Sequence, residues 1–272
     1  MKNLILEQIV NSTRKSLAQH MEQTPLASLK RAIDYQAPPR DFAGALRGDS
    51  IRLIAEVKRA SPSKGLLCPN LAASSLARVY SESGAAAISV LTEPEYFLGS
   101  FADLEAVRME VDLPLLCKDF IIDGYQIYKA RAQGADAVLL IAAILTQHEL
   151  RVLLETTHSL GMAALVEVHN RDELMKALRV SPVIIGINNR NLEDFSVNLE
   201  TTFKLRPLIP AGILVVSESG IHSRDEVLGL QQAGVNAILV GEALVTSPDP
   251  AAKIAELMGK VKQGKKEQET IV

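Results

Sequence analysis

Eight short runs rich in Val, Ile and Leu recur along the chain, and longer segments of mixed polarity separate them. The apolar positions within each run are continuous rather than alternating, which is typical of strands buried on both faces of a parallel sheet. We therefore predict eight strands, at residues 52–57, 86–91, 114–118, 137–141, 163–168, 183–188, 213–218 and 237–241.

The segments between these runs have the mixed pattern of surface helices. One of them opens with Thr146 and carries Glu149 three residues later, which is the spacing of a capping box. Eight strand–helix units without a break in composition predict a closed (β/α)₈ barrel, the TIM-barrel architecture. An open doubly wound sheet is the alternative, and the absence of a G-x-G-x-x-G after the first strand speaks against it.

The two ends of the chain differ from this repeat. Apolar positions such as Ile5, Ile9 and Leu17 recur at helical spacing before the first strand. They predict an N-terminal helical extension over residues 1–48 that packs across one end of the barrel. We expect the extension and the barrel to form a single domain over residues 1–260, and the polar residues 261–272 to be a disordered tail.

Composition narrows the class of protein. The 272 residues carry a net charge of −3, which argues against nucleic acid as a partner. The longest apolar run, at residues 137–145, is far shorter than the ~20 residues that cross a bilayer, and Glu7 and Gln8 interrupt any signal peptide. We expect a cytoplasmic protein without membrane contact, a monomer or alternatively a homo-oligomer. Cys68 and Cys117 predict reduced structural thiols, and the five histidines show no metal-binding spacing.

Charged and polar side chains cluster where the predicted strands end. Glu56 and Lys58 stand at i and i+2 after the first strand, so both face the same side, toward the barrel mouth. The ends of the third, fifth, sixth and seventh strands add Lys118, Glu167, Asn188, Arg190, Glu218 and Ser219. Any one of these could simply mark where a strand meets solvent. Their convergence at the catalytic end of such barrels predicts an active site with shifted pKa values.

Two glycine loops predict a phosphate site beside these charges. The loops after the seventh and eighth strands read S-E-S-G-I and L-V-G-E-A-L, and barrels often bind phosphate there through backbone N–H groups. Gly220 and Gly241 allow close approach of the backbone. After the first strand, the loop with Ser61, Ser63 and Lys64 is either a lid over an anion or an exposed turn.

With these residues placed, the chain resembles the indole-3-glycerol phosphate synthase family from about residue 5 to about residue 257. The resemblance rests on six motifs in order: I-A-E-V-K-R-A-S-P-S-K-G, T-E-P-E-Y-F-L-G-S, L-C-K-D-F-I-I-D, L-V-E-V-H, I-G-I-N-N-R-N-L and V-S-E-S-G-I. It implies a barrel with an N-terminal helical extension. It also implies cyclisation, decarboxylation and dehydration of 1-(2-carboxyphenylamino)-1-deoxyribulose 5-phosphate to indole-3-glycerol phosphate in tryptophan biosynthesis. Such a carbon–carbon lyase needs neither a metal nor an organic cofactor.

The resemblance also implies roles for residues. Lys118 resembles the general acid for ring closure, and Glu167 the residue for dehydration. Lys58 would hold an anionic group of the substrate or donate a proton, and Glu56 would orient and tune Lys118. Asn188 and Glu218 would position hydroxyl and carboxylate groups of the substrate.

The remaining implied residues bind the two ends of the substrate. Arg190, Phe97 and Phe120 would lie near the aromatic ring. The phosphate end would take Ser61, Ser219, Gly220, Gly241 and Glu242. Glu242 would use its backbone N–H there, because its carboxylate would repel a phosphate.

Two other functions are conceivable on this fold. An Amadori-type isomerase needs a Cys or Asp base at the end of the first strand, where this chain has Glu56 and Lys58. A non-catalytic barrel that binds a phosphometabolite should have lost Lys58, Lys118 or Glu167, and all three are present.

Overall fold

Eight parallel strands close into a barrel in which each strand pairs with its neighbours in chain order and the last pairs with the first. The computed structural model describes residues 4–192 and 194–259. The strands are β1 Arg52–Val57, β2 Ala87–Leu91, β3 Leu115–Lys118, β4 Ala137–Ile141, β5 Ala163–Val168, β6 Ile184–Asn188, β7 Leu214–Glu218 and β8 Ala237–Val240. The predicted barrel is confirmed, and each predicted strand lies within one residue of the observed one.

The helices surround the barrel and supply the N-terminal extension. They are α1 Leu4–Gln23, α2 Leu26–Asp34, α3 Phe42–Ala45, α4 Ala73–Glu82, α5 Phe101–Glu110, α6 Gly124–Ala132, α7 Gln147–Ser159, α8 Arg171–Leu178, α9 Glu200–Leu205, α10 Arg224–Gln232, α11 Glu242–Val245 and α12 Pro250–Met258. The loop after β1 forms a short hairpin of residues Ala60–Ser61 and Gly65–Leu66. The predicted tail at 261–272 lies outside the described residues.

Local sequence chemistry accounts for where helices begin. Thr146 accepts a hydrogen bond from the backbone N–H of Glu149, whose side chain accepts one from the backbone N–H of Thr146. This is the capping box that the spacing predicts. Asp123 before α6 and Ser223 before α10 form the same arrangement. Such caps satisfy backbone donors that have no partner within the helix.

Two apolar layers hold the barrel together. One lies inside the barrel and includes Ile54, Leu116 and Leu165, all fully buried. The other lies between the strands and the surrounding helices, with Val90 and Leu230 among its members. Strand positions alternate between the two layers, so each strand is apolar on both faces and is rigidly held.

The N-terminal extension reaches both ends of the barrel, so the prediction that it packs across one end was wrong in part. Ile5 and Ile9 of α1 line the pocket at the carboxyl ends of the strands. Helix α2 packs against α6. Phe42 and Leu46, at the start and just past the end of α3, join the interior layer beside the first residues of several strands. The N-terminal extension therefore places apolar side chains at both ends of the barrel.

Across residues 4–192 and 194–259, no helix has the length and apolarity that crossing a membrane requires.

Candidate active site

A pocket of about 400 Å³ opens at the carboxyl ends of the strands. All fourteen residues that the sequence singles out for catalysis or binding line it: Glu56, Lys58, Ser61, Phe97, Lys118, Phe120, Glu167, Asn188, Arg190, Glu218, Ser219, Gly220, Gly241 and Glu242. They are far apart in the chain and meet because parallel strands place all their carboxyl ends at one side of the barrel.

Lys118 lies between two buried glutamates at the centre of the pocket. Its Nζ is 3.6 Å from Oε2 of Glu167 and 3.6 Å from Oε2 of Glu218. The two carboxylates are only 3% and 1% exposed. Glu167 Oε2 and both oxygens of Glu218 have no hydrogen-bond partner among the described residues. Both residues line the pocket, so these carboxylates have hydrogen-bonding capacity left for a substrate.

The surroundings push the pKa values of these three groups in different directions. Burial alone would lower the pKa of Lys118, but the carboxylates of Glu167, Glu218 and Glu56 outweigh it and raise that pKa. Burial would raise the pKa of Glu167, yet Lys118 and His169 outweigh it and lower that pKa. Burial and the charge of Glu167 raise the pKa of Glu218. At neutral pH the site thus holds an ammonium as proton donor next to a carboxylate as proton acceptor.

Glu56 and Lys58 form a second pair at the end of β1. Lys58 Nζ is 2.8 Å from Oε1 of Glu56, which agrees with the expectation that both side chains face the mouth. The direct partner of Glu56 is therefore Lys58. Glu56 was expected to orient and tune Lys118. It acts on Lys118 as a nearby negative charge that raises the pKa of the lysine.

Two glycines make room for the buried carboxylates. A side chain on Gly186 of β6 would lie 2.2 Å from Oε1 of Glu218, and one on Gly241 would lie 2.3 Å from Oε1 of Glu56. No Cβ tolerates such a distance. Gly241, which the sequence suggests for phosphate binding, is thus also required by the position of Glu56.

The predicted phosphate loop after β7 has an unusual backbone. Ser219 and Gly220 both have positive φ, at 67° and 80°. Buried Asn189 holds this turn, because its side-chain amide donates to the carbonyl oxygens of Glu218 (2.9 Å) and Ser219 (3.1 Å). The side-chain oxygen Oδ1 of Asn189 accepts hydrogen bonds from the backbone N–H and the hydroxyl of Thr202. The sequence reasoning passed over Asn189, although it stands inside the I-G-I-N-N-R-N-L motif.

Charged side chains join the three loops around the predicted phosphate end. Arg190 lies 3.6 Å from the carboxylate of Glu242 and donates to the hydroxyl of Ser63 at 3.3 Å. Lys64 Nζ is 3.9 Å from the same carboxylate. The loop after β1 therefore closes over the pocket as a short hairpin and contacts the loop after β6. Arg190 lines the pocket in contact with Glu242, and its expected place near the aromatic ring of the substrate stays a prediction.

Apolar side chains form the opposite wall. The rings of Phe97 and Phe120 lie 6.0 Å apart, centroid to centroid. Buried Glu93 fixes the loop before Phe97 by accepting hydrogen bonds from the backbone N–H groups of Tyr96 and Phe97. Ile5, Leu6 and Ile9 of α1 add further apolar side chains to the lining of the pocket. The sequence predicts α1 but not that α1 reaches the pocket, since helical periodicity does not indicate which surface a helix covers.

His169 is a further residue that the sequence reasoning missed. It follows β5 and lies behind Glu167, with its Nε2 at 3.3 Å from Oε1 of that carboxylate. A signal was available, because Glu167 and His169 have the same i, i+2 spacing as Glu56 and Lys58.

Solved structures of other proteins share this fold at low identity. The 3-hexulose-6-phosphate synthase of Salmonella typhimurium superposes with a TM-score of 0.63 at 12% identity, covering 77% of this chain and 97% of the other. A chain of the tryptophan synthase complex of Pyrococcus furiosus gives 0.56 at 16% identity, covering 76% and 97%. Identities this low support the barrel fold alone.

Sequence relatives are much closer. A family model described as indole-3-glycerol phosphate synthase matches residues 6–257. The chain is 49% identical over 259 residues to the indole-3-glycerol phosphate synthase of Dehalococcoides mccartyi, covering 94% of this chain and 100% of the relative. It is 50% identical over 264 residues to that of Roseiflexus sp., covering 94% and 98%. The chain therefore belongs to the indole-3-glycerol phosphate synthase family, carboxy-lyases of tryptophan biosynthesis.

Proposed function

We propose that this pocket converts 1-(2-carboxyphenylamino)-1-deoxyribulose 5-phosphate to indole-3-glycerol phosphate. The observation that carries the proposal is Lys118, a charged ammonium at 3.6 Å from each of two buried carboxylates at the barrel mouth. Ring closure needs a proton donor at the keto oxygen, and dehydration needs a proton donor and a proton acceptor at the new ring; this cluster supplies both.

The substrate spans the pocket between its two walls. Its phosphate lies against the loops after β7 and β8, where Ser219, Gly220, Gly241 and Glu242 offer backbone N–H groups and Ser61 a hydroxyl. Its carboxyphenyl ring lies on the apolar side, against Phe97 and Phe120. Such a binding mode places the keto carbon of the sugar chain over the central lysine.

Lys118 acts in the first chemical step. The aryl carbon that bears the carboxylate attacks the keto carbon, and the keto oxygen takes a proton from the Lys118 ammonium to become a hydroxyl. The carbon–carboxylate bond then breaks, and its electron pair restores the aromatic ring as carbon dioxide leaves. Lys58 holds the substrate carboxylate before this step, and the carboxylate of Glu56, 2.8 Å away, holds Lys58.

Glu167 acts in the dehydration. Its carboxylate takes a proton from the ring methylene carbon. The new hydroxyl takes a proton from the ammonium of Lys58, since Lys118 has already given up its own, and leaves as water. The double bond of the indole forms between the two carbons. Asn188 and Glu218 bind the hydroxyl groups of the sugar chain during both steps.

The absence of tryptophan from the chain makes the test direct. Purified protein mixed with the carboxyphenylamino-deoxyribulose phosphate should develop indole fluorescence over almost no intrinsic background. A matched sample with the dephosphorylated substrate should react far more slowly, because the phosphate contacts position the keto group. Tight binding of the substrate without any indole product would instead favour a non-catalytic barrel.

Two further properties stay predictions. A cytoplasmic location agrees with a biosynthetic role, and fractionation of cells that produce the protein tests it. A monomer is expected, and sedimentation at several concentrations tests that expectation.

A further inference from the structure

His169 is an imidazole held between two carboxylates, and the roles above leave it unused. Its Nε2 lies 3.3 Å from Oε1 of Glu167, and its Nδ1 lies 3.0 Å from Oε2 of Glu173. Only 9% of the side chain is exposed. It contacts the wall of the pocket from behind, through Glu167, and does not line the pocket itself.

Local structure fixes the partner of His169. Glu173 lies in the first turn of α8, where a negative charge is favoured by the helix dipole. It accepts hydrogen bonds from the backbone N–H of His169 (2.8 Å) and from the side-chain amide of Asn170 (2.6 Å), the residue that caps α8. The carboxylate of Glu173 therefore holds Nδ1 of the ring and directs Nε2 toward Glu167.

A comparison of Glu167 with Glu218 indicates what this contact does. Both carboxylates lie 3.6 Å from Lys118 through one oxygen. Only Glu167 has a second cationic group on its other oxygen, the imidazole of His169. Of these two glutamates, Glu167 alone has an ion-pair contact with His169, whose charge also reaches Glu218 at longer range.

The protonation states follow from these contacts. Burial alone would lower the pKa of His169, but Glu167 and Glu173 outweigh it and raise that pKa to about 10. The ring is therefore an imidazolium at neutral pH. Its charge favours the ionised form of Glu167, whereas burial and the negative charge of Glu167 raise the pKa of Glu218.

We infer that His169, held by Glu173, is a positioning residue for Glu167. It fixes one oxygen of that carboxylate so that the other faces the pocket as a proton acceptor. This inference deepens the proposed function and rests on the role of Glu167 in dehydration. Without the imidazolium, Lys118 would be the one cationic contact left to Glu167, as it is for Glu218 among the described residues.

The main test replaces His169 with Asn and with Gln in the full chain. We expect kcat to fall by about 10- to 100-fold in His169→Asn, a loss similar to that for removal of the hydrogen-bond partner of a metal ligand. KM should change by less than about threefold, since the histidine does not touch the substrate. The acid limb of the kcat profile should move up by about one to three pH units, because loss of a neighbouring cation raises the pKa of Glu167.

Other groups titrate around the same carboxylate, so a second variant is needed. Lys118 from β3 and Glu218 from β7 also face Glu167, while Glu173 from α8 faces only the histidine. Glu173→Gln keeps a hydrogen-bond partner for Nδ1 and removes the charge that favours the imidazolium. It should shift the acid limb in the same direction by a smaller amount. This nearly isosteric change also serves if His169→Asn fails to fold.

A spectroscopic measurement reads the histidine without activity. Nitrogen-15 NMR of the five labelled histidines should show one imidazolium that persists above pH 8 and loses its proton at lower pH in Glu173→Gln. A neutral His169 ring at pH 7 would overturn the inference.

A control variant and the activity of the unmodified protein distinguish failure of this inference from failure of the proposed function. His158→Asn, an exposed histidine in the last turn of α7, should leave kcat, KM and the pH profile unchanged. If the unmodified protein forms the indole product and His169→Asn keeps the acid limb of kcat in place, the inference is wrong. If the unmodified protein forms no product, the proposed function is wrong instead.

Discussion

The two ends of the barrel are built from the same strands but filled in opposite ways. At the amino ends, Phe42 and Leu46 complete an apolar interior and are each only 1% exposed. At the carboxyl ends, Glu56, Glu167 and Glu218 are almost as deeply buried. Buried apolar side chains stabilise the amino end, whereas the carboxyl end holds buried charges that are only partly paired.

The difference shows how the fold separates stability from chemistry. Burial of an apolar ring stabilises a protein, while burial of charge destabilises it unless each charge has a partner. Gly186 and Gly241 admit the carboxylates at the mouth, and Lys118 and Lys58 neutralise part of their charge. Substitutions at the carboxyl ends should therefore change turnover, whereas substitutions at the amino ends should lower the free energy of unfolding.

The largest effect is expected from Lys118→Ala at the mouth. Loss of the proton donor should lower kcat by about 10² to 10⁴-fold, while KM changes little. Stopped-flow indole fluorescence measures both parameters. Lys204→Ala, which removes an exposed ammonium in the last turn of α9, is the matched control and should keep normal turnover. Near-normal turnover in Lys118→Ala would show that the acid has been misassigned.

The next effect is expected at the opposite end, from Phe42→Ala. Removing this buried ring should lower the free energy of unfolding by about 3 to 5 kcal/mol, because a cavity remains. The kcat of the molecules that stay folded should be unchanged, because the ring lies at the other end of the barrel. Urea unfolding and active-site-normalised turnover check the two parts. Tyr35→Ala, at a side chain that is 92% exposed, should change neither.

A smaller effect is expected on the pH profile of Glu218→Gln. The carboxylates around Lys118 raise its pKa, so the ammonium needed as acid is present below that raised value and is lost only as the pH rises through it. Removing one carboxylate lowers this pKa. The alkaline limb of kcat should therefore move down by about one pH unit or more, as measured from pH 7 upward. An unmoved limb would mean that Lys118 does not set it.

The smallest effect is expected from Glu242→Gln at the proposed phosphate end. The carboxylate of Glu242 lies near the cationic groups of Arg190 and Lys64 and would repel a phosphate. Its neutralisation should lower KM by up to about fivefold, the upper range for a partly exposed ion pair. Glu256→Gln on α12 is the control. A higher KM in Glu242→Gln would instead mean that this carboxylate orders the two cations for the substrate.

The barrel and the location of its candidate active site can be predicted from the sequence. Continuous apolar runs indicate two-sided strands, and eight of them imply a barrel. Glu56 with Lys58, and the charges after other strands, then point to one mouth. Asn189 was missed because it is one polar residue in the run N-N-R-N, and His169 because its i, i+2 spacing from Glu167 does not show that the two side chains pair. The contribution of α1 to the pocket was missed because the apolar face of a helix does not indicate which part of the protein it packs against.

The sequence by itself therefore determined the barrel, the end that carries chemistry and the family, since these depend on repeated patterns and on contiguous motifs. Only the tertiary structure decided which charge pairs with which. Glu56 pairs with Lys58, Lys118 lies between Glu167 and Glu218, and His169 distinguishes those two glutamates. The physical reason is that pairing depends on distances of a few ångströms between strands that are remote in the chain.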